Sequence, residues 1–333
     1  MSTELLIYIP TYQRLEKLKN CLASVKIAID GYEDLVKIVI SNNGSTDGTK
    51  EYLDSIFYEW LTIAHKPENE GAYSNILEAF NLNTNAQYLW IIGDDDYLMP
   101  TAISGLLAII KDFPTADYIF CNTKAFSPDQ YAEKISELIT THNVSGGNIK
   151  SSQFHGTELV KFHQIINPAV ADTLLGELMV NCYKLSSIKD FDYPYYKSLN
   201  LNGNKIKWDE VDLKTVGLAS QPHNLPIIDC YTSDSIGVYC DQVRTFNFWG
   251  TAEWLNDYDL IFPLVILYLI KEYAKKGIVD RKSSLVLMKY FLNAMGPSLQ
   301  RQIYGTSKAK PFGMKLKAEL LDAIVDYLYA PQI

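Results

Sequence analysis

Positive charge, cysteine and long apolar runs are all scarce in this 333-residue chain. Thirty Lys and Arg stand against 39 Asp and Glu, a formal net charge of −9. That balance argues against a nucleic-acid binder as a whole, because such proteins need a cationic face. The five cysteines (Cys21, Cys121, Cys182, Cys230 and Cys240) are odd in number and form no Cys-x-x-Cys pair. They read as reduced, mostly buried thiols and not as zinc ligands or disulfides. The longest apolar run, Leu260 to Ile270, is about half of the ~20 residues needed to span a bilayer. Met1-Ser2-Thr3-Glu4-Leu5 has no basic stretch and no cleavage site, so no export signal and a cytoplasmic location are expected. The chain has no G-x-G-x-x-G, which disfavours a dehydrogenase-type dinucleotide site, and no G-x-x-x-x-G-K-[ST], which excludes a P-loop. H-E-x-x-H and G-x-S-x-G are absent too, and the five histidines show no ligand spacing.

What is present is a globular composition, 47% apolar and 21% charged, with ample material for a core. Leu5–Ile9, Val36–Ile40, Tyr88–Ile92 and Tyr118–Cys121 are short apolar runs, the first three stopped by Pro10, Ser41-Asn42-Asn43-Gly44 and Gly93. Runs apolar on both faces suit strands buried in a parallel sheet. Helical stretches lie between them at Leu15–Ile29, Thr49–Trp60, Tyr73–Phe80 and Thr101–Asp112. Such alternation predicts an α/β domain over residues 1–125. Residues 126–248 are less regular and read as a mixed second half, and 249–333 reads as a helical region. In that region Leu316, Leu320, Leu321, Ile324 and Leu328 share one helix face.

Open α/β sheets bind ligands at the carboxyl ends of their strands. Three loops should converge there: Pro10-Thr11-Tyr12-Gln13-Arg14, Ser41 to Thr49, and Gly93-Asp94-Asp95-Asp96-Tyr97. Three adjacent carboxylates repel one another unless a cation relieves them. Hard cations such as Mg²⁺ and Mn²⁺ take carboxylate and phosphate oxygens. In an extended segment Asp94 and Asp96 point the same way. A solvated acidic turn ahead of the helix at Thr101 would account for the same triplet, and an Asn-Gly turn capping a helix would account for residues 42–48.

Together these loops resemble the family 2 glycosyltransferases. Ile9-Pro10-Thr11-Tyr12-Gln13-Arg14 looks like that family's P-T-Y-N-R start, and Ser41 to Thr49 like its V-D-N-G-S-T-D-G-T. Asn69-Glu70-Gly71-Ala72-Tyr73-Ser74-Asn75 resembles N-x-G-x-x-x-N. Tyr88 to Pro100 resembles the W-x-x-G-D-D-D-x-L-x-P of surface-polysaccharide, abequosyltransferase-like members. The resemblance implies a GT-A-like fold: a Rossmann-like nucleotide-binding half with a mixed sheet, an acceptor-binding half, and a C-terminal helical extension. It implies that Pro10, Thr11 and Tyr12 line the base pocket, with Arg14, Asn42, Asn43, Asn75, Asp94 and Asp95 completing the donor site. Asp96, with Asp94, would hold Mn²⁺ or Mg²⁺ against the diphosphate. Asn42 stands where the family usually has Asp; its carbonyl can still accept from a base N–H, without charge assistance. A UDP-sugar is the first expectation, with thymine and guanine nucleotides left open.

Inverting transfer needs a carboxylate base on the acceptor side. Trp208-Asp209-Glu210-Val211-Asp212 resembles the family's E-D pair in reversed order, with Glu210 as the base and Asp209 before it. Glu177, an isolated acid among apolar residues, is the reserve candidate, and Tyr193, Tyr195, Tyr196, Trp249 and Trp254 are candidate acceptor contacts. An ordinary helix N-terminus would also attract the acids at 209–212. From Arg281 to Ala318 there are eight cations and no acid. That segment suits either a solvated helix face or an anionic membrane surface near a glycan or lipid-linked acceptor. The apolar stripe at 255–295 could serve a homodimer. Two other classes compete with a transferase: a sugar-1-phosphate nucleotidylyltransferase, which would want a Gly-rich basic loop after the first strand, and a non-catalytic nucleotide-sugar binder.

Overall fold

Leu5 to Ile9 are buried without exception, so the strand that carries them must lie inside a sheet covered on both faces. The computed structural model describes residues 3–149, 156–170, 174–201, 211–248, 258–303 and 313–328. Leu5–Thr11 (β1) is flanked in parallel by Val36–Asn42 (β2) and Tyr88–Ile91 (β4), and Leu61–His65 (β3) extends the sheet beyond β2. Tyr97–Leu98 (β5), Tyr118–Phe126 (β6), Asn148–Ile149 (β7), Thr157–Lys161 (β8), Asn181–Lys184 (β9) and Ile236–Phe248 (β10) follow. The order is β3-β2-β1-β4-β9-β6-β10-β5, with β7 on β6 and β8 on β10. The sheet is mixed: β9 runs antiparallel to both β4 and β6, and β10 runs parallel to β6 but antiparallel to β5. It therefore continues without a break from residues before 125 to residues beyond it.

The helix Leu15–Ile29 spans the expected residues and buries Leu18, Cys21, Leu22, Val25, Ala28 and Ile29. The helix from Thr49 stops at Asp54, not Trp60: Ser55 N–H is shared between the Glu51 and Tyr52 carbonyls and Ile56 N–H bonds Leu53, so the last turn tightens to i→i−3 pairing and ends. The residues after it lead into β3, which has no continuous apolar run. As an edge strand it half-buries Leu61, Ile63 and His65 and exposes Thr62 and Ala64, so only a weak alternation marks it. The cysteines are all free, four of them buried.

The helices Tyr258–Lys275, Arg281–Ile303 and Met314–Leu328 form the C-terminal part. Leu264 through Ile270 are buried in the protein's own core, so this part of the 255–295 stripe packs within the chain. Gly217, in the helix Leu213–Ser220, allows this contact: a Cβ there would sit 2.0 Å from the Tyr268 ring. On the last helix Leu316 and Leu320 are buried, whereas Leu321 is exposed, so the expected common apolar face is narrower than the sequence pattern.

Candidate active site

The carboxyl ends of β1, β2 and β4 lie side by side, in register from Leu5 to Thr11 against Val36 to Asn42. This juxtaposition brings Thr11 and Arg14 to the aspartate triplet. Thr11 Oγ1 donates to Asp94 Oδ2 at 2.6 Å. Arg14 Nη1 lies 3.1 Å from carboxylate oxygens of both Asp94 and Asp95, and Lys17 Nζ lies 3.2 Å from Asp95. Tyr12 stands exposed at the mouth of this region. Gln13 holds a left-handed φ of 55°. Its backbone N–H donates to Ser45 Oγ and its side chain donates to Thr46 Oγ1, which ties the first loop to the second.

The second loop is built by its own side chains. Asn42 Oδ1 accepts from Ser45 N–H at 3.1 Å, and Asn42 Nδ2 lies 3.0 Å from His65 Nδ1, whose Nε2 in turn meets Asp54. Asn43 donates to Asn69 Oδ1 at 2.8 Å and accepts from Glu70 N–H at 3.0 Å. Asn75 accepts from Ser41 Oγ at 2.6 Å and donates to Ser41 O at 3.2 Å. Asn42, Asn43 and Asn75 are all buried, so they hold the loops against one another. Gly44 is required where these loops meet: φ is +70° and a Cβ would lie 2.5 Å from the Glu68 carbonyl carbon.

Asp94 and Asp96 are both buried, at 3% and 6% exposure, but their environments differ. Burial pushes the Asp94 carboxyl up and the Asp95 charge adds to the rise, while Arg14 and Thr11 pull it back. Asp96 receives the Gly93 N–H at 2.8 Å and has no ion pair among the described residues. Burial pushes it up first, and the Asp95 and Glu177 charges add to this. The Gly93 N–H and an Asn247 side-chain hydrogen bond oppose the rise. The reserve acid Glu177 is thus near enough to Asp96 to repel it. Its loop is held by Asn181 Nδ2, which donates to the Leu175 and Glu177 carbonyls at 3.1 and 2.6 Å. Leu174 and Leu175, just before it, are left-handed at φ 52° and 69°, the kind of strain that persists only where surroundings enforce it.

Asp209 and Glu210 lie outside the described residues, as do Trp249 and Trp254. The described neighbour Asp212 caps the helix Leu213–Ser220 by accepting from Thr215 N–H at 2.8 Å, and it pairs with Lys315 at 2.9 Å. Burial raises its carboxyl, but the Thr215 and Lys315 contacts prevail and hold it down at about 2. Tyr196 is packed inside, stacked on Phe191, and only Tyr195 of the three candidate tyrosines is exposed. The sequence reading missed Lys17, His65 and Asn247. Lys17 lies one helical turn past Arg14, a spacing that could have signalled it. Nothing local marks Asn247.

Residues 6–165 match the family model for glycosyl transferase family 2. The match covers just under half of the chain. It is 34% identical over 123 residues to the abequosyltransferase RfbV of Salmonella typhimurium, covering 35% of this chain and 34% of the relative. It is 21% identical over 284 residues to the hyaluronan synthase of Pasteurella multocida, covering 78% of this chain and 27% of that relative. The chain thus spans about a third or less of these two relatives. Among solved structures, S. aureus TarS in complex with UDP-GlcNAc superposes with a TM-score of 0.62 at 14% identity, over 99% of this chain and 82% of that one. The mannosyltransferase PcManGT from Pyrobaculum calidifontis, in complex with GDP-Man and Mn²⁺, gives 0.51 at 12% identity, over 99% and 82%. The fold is therefore that of GT-A-type glycosyltransferases, with a helical C-terminal part.

Proposed function

We propose that the protein transfers a sugar, with inversion, from a nucleotide-sugar donor to a glycan or lipid-linked acceptor in surface-polysaccharide assembly. The observation that carries this reading is the pair of buried carboxylates, Asp94 and Asp96, at the carboxyl end of β4 beside Thr11 and Arg14. Such a pair is costly unless it serves a cation. The surroundings fit a hard divalent ion: the donors are oxygens, and Asn247 Oδ1 is buried without a hydrogen-bond partner among the described residues. Asp96 and Asp94 would hold Mn²⁺ or Mg²⁺. When bound, the ion supplies charge stabilisation to the departing nucleoside diphosphate.

The chain's own residues do the rest. Pro10, Thr11 and Tyr12 frame the nucleoside, and Asn42, Asn43 and Asn75 fix the loop beneath it. Arg14, already poised between Asp94 and Asp95, brings positive charge to the diphosphate. Glu210, with Asp209 before it, removes the proton from the acceptor hydroxyl as that oxygen attacks the anomeric carbon. Glu177 is the second candidate for this proton. A UDP-sugar is the donor we favour, since TarS, a structural neighbour, was captured with UDP-GlcNAc. The cations of 281–318 would meet an anionic membrane surface. No described helix is long and apolar enough to cross a membrane.

Incubation with nucleotide sugars, Mn²⁺ and candidate acceptors tests the reaction class. Release of free nucleoside diphosphate supports transfer. Pyrophosphate from sugar-1-phosphate and nucleoside triphosphate would indicate nucleotidyl transfer, and binding without either product would leave a binder.

A further inference from the structure

Asn247 is far from the aspartate triplet in sequence but next to it in space. β10 pairs antiparallel with β5 through Thr245–Leu98 and Phe246–Tyr97, so the next step along the ladder sets Asn247 against Asp96. Phe246 and Phe248 are buried, and both rings pack on Tyr97 and Phe126. Alternation along the strand then turns Asn247 to the opposite face. The ladder sets its side chain beside the Asp96 carboxylate, close enough for the amide to favour that group's charged form. A carboxylate can only accept, so the amide does this through its N–H₂ and the carbonyl oxygen is left over. That oxygen, Oδ1, is buried and has no hydrogen-bond partner among the described residues. Orphaned buried acceptors of this kind call for an absent water or ion as explanation.

A second observation points the same way. Among the described residues no three His, Cys, Asp or Glu side chains gather as a metal cage. A cation at Asp96 must therefore draw further oxygens from elsewhere. An amide oxygen supplies one without adding charge to a place where Asp94, Asp95, Asp96 and Glu177 already repel one another.

We propose that Asn247 both positions the Asp96 carboxylate and offers its Oδ1 as a neutral oxygen ligand, directly or through one water, to the divalent cation that Asp96 holds. The inference rests on the metal reading of Asp96 given above, and its test separates the two. Mn²⁺ is titrated into the full chain at fixed UDP, and free Mn²⁺ is read by electron paramagnetic resonance for wild type, Asp96→Asn, Asn247→Leu and Asn247→Gln, each checked for folding by thermal melting. Asp96→Asn should abolish binding. Asn247→Leu should weaken it by about 10- to 100-fold, the range typical of outer ligands and their supports. Asn247→Gln, which restores the neutral amide, should recover most of that loss. Unchanged affinity in Asn247→Leu while Asp96→Asn fails to bind would overturn the role of Asn247 and leave the metal reading standing. If Asn247→Gln binds no better than the Leu variant, Asn247 is not a ligand. If Asp96→Asn binds Mn²⁺ like wild type, the metal reading itself falls, and this inference falls with it. Should the Leu variant fail to fold, Asn247→Ala is read in its place by the same criterion.

Discussion

The two walls of the cleft treat their carboxylates differently. On the β1 side, Asp94 is neutralised: Thr11 donates to it, and Arg14 bridges it to Asp95 with Lys17 behind. On the β10 side, Asp96 meets a backbone N–H, an amide and another acid, but no cation among the described residues. One wall carries its counter-charge within the fold; the other leaves it to be supplied from outside. The contrast separates a carboxylate that also organises the loops from one whose counter-charge must come wholly from a ligand.

The largest effect should come from Asp96→Asn. Turnover and Mn²⁺-supported nucleotide binding should fall by at least about 100-fold, measured as nucleoside diphosphate release and by calorimetry. Without metal, the same variant should melt at or above the wild-type temperature, because it removes a buried group whose charged form is disfavoured. Asp94→Asn should melt below wild type, because Arg14 loses a partner. Equal melting shifts in the two variants would erase the difference between the walls.

Next comes Arg14→Ala. A charge-assisted bond to a largely buried carboxylate contributes about 1.5–3 kcal/mol, and Arg14 is itself 28% exposed, which reduces the figure. We expect the donor KM to rise about tenfold, with a smaller fall in kcat. An unchanged KM would mean that Arg14 serves only the loops.

Legibility along the chain follows the same division. The loops of the β1 wall follow strands that alternate locally with helices, so the apolar runs and the Pro10 and Gly93 stops exposed both the strands and Thr11, Arg14 and Asp94. The β10 wall is assembled by pairings of long range: Tyr97 against Phe246, and Tyr118 against Gly237. β10 also shifts register against β6 between Tyr239 and Val243 and between Val243 and Thr245, and no spacing in the sequence encodes which residue ends up opposite Asp96. The antiparallel insertion of β9 between β4 and β6 escaped notice for that reason, and edge strand β3 because half its residues face solvent. Gly217 likewise has meaning only once Tyr268 is seen against it.

The effect of pH should be intermediate. Both buried carboxyls are pushed above the ordinary carboxylate range, by burial first and by the Asp95 charge second. A group whose folded-state pKa is raised binds its proton more tightly in the folded chain. Its contribution to stability is therefore full at low pH and is lost as pH climbs from about 4 through the raised values. Metal must displace that proton. The melting-temperature gain from Mn²⁺ with UDP should accordingly grow with pH across this window, and a gain that shrinks would contradict the assignment of the cation to this pair.

The smallest effect should be that of Lys17→Ala, which decides how much of the β1 wall's neutrality comes from Arg14 alone. Lys17 pairs with Asp95 at 3.2 Å, and both side chains are 27% exposed. Ion pairs so open to water contribute about 0–1 kcal/mol and fade with salt. We expect the donor KM to change less than about threefold at low ionic strength, and not measurably at about 0.5 M salt, where the Debye length is only a few ångströms. An effect matching that of Arg14→Ala, and persisting in salt, would show that the two cations act as one unit on the bound ligand. The neutral wall would then be a phosphate cradle in its own right, not a prop for Asp94.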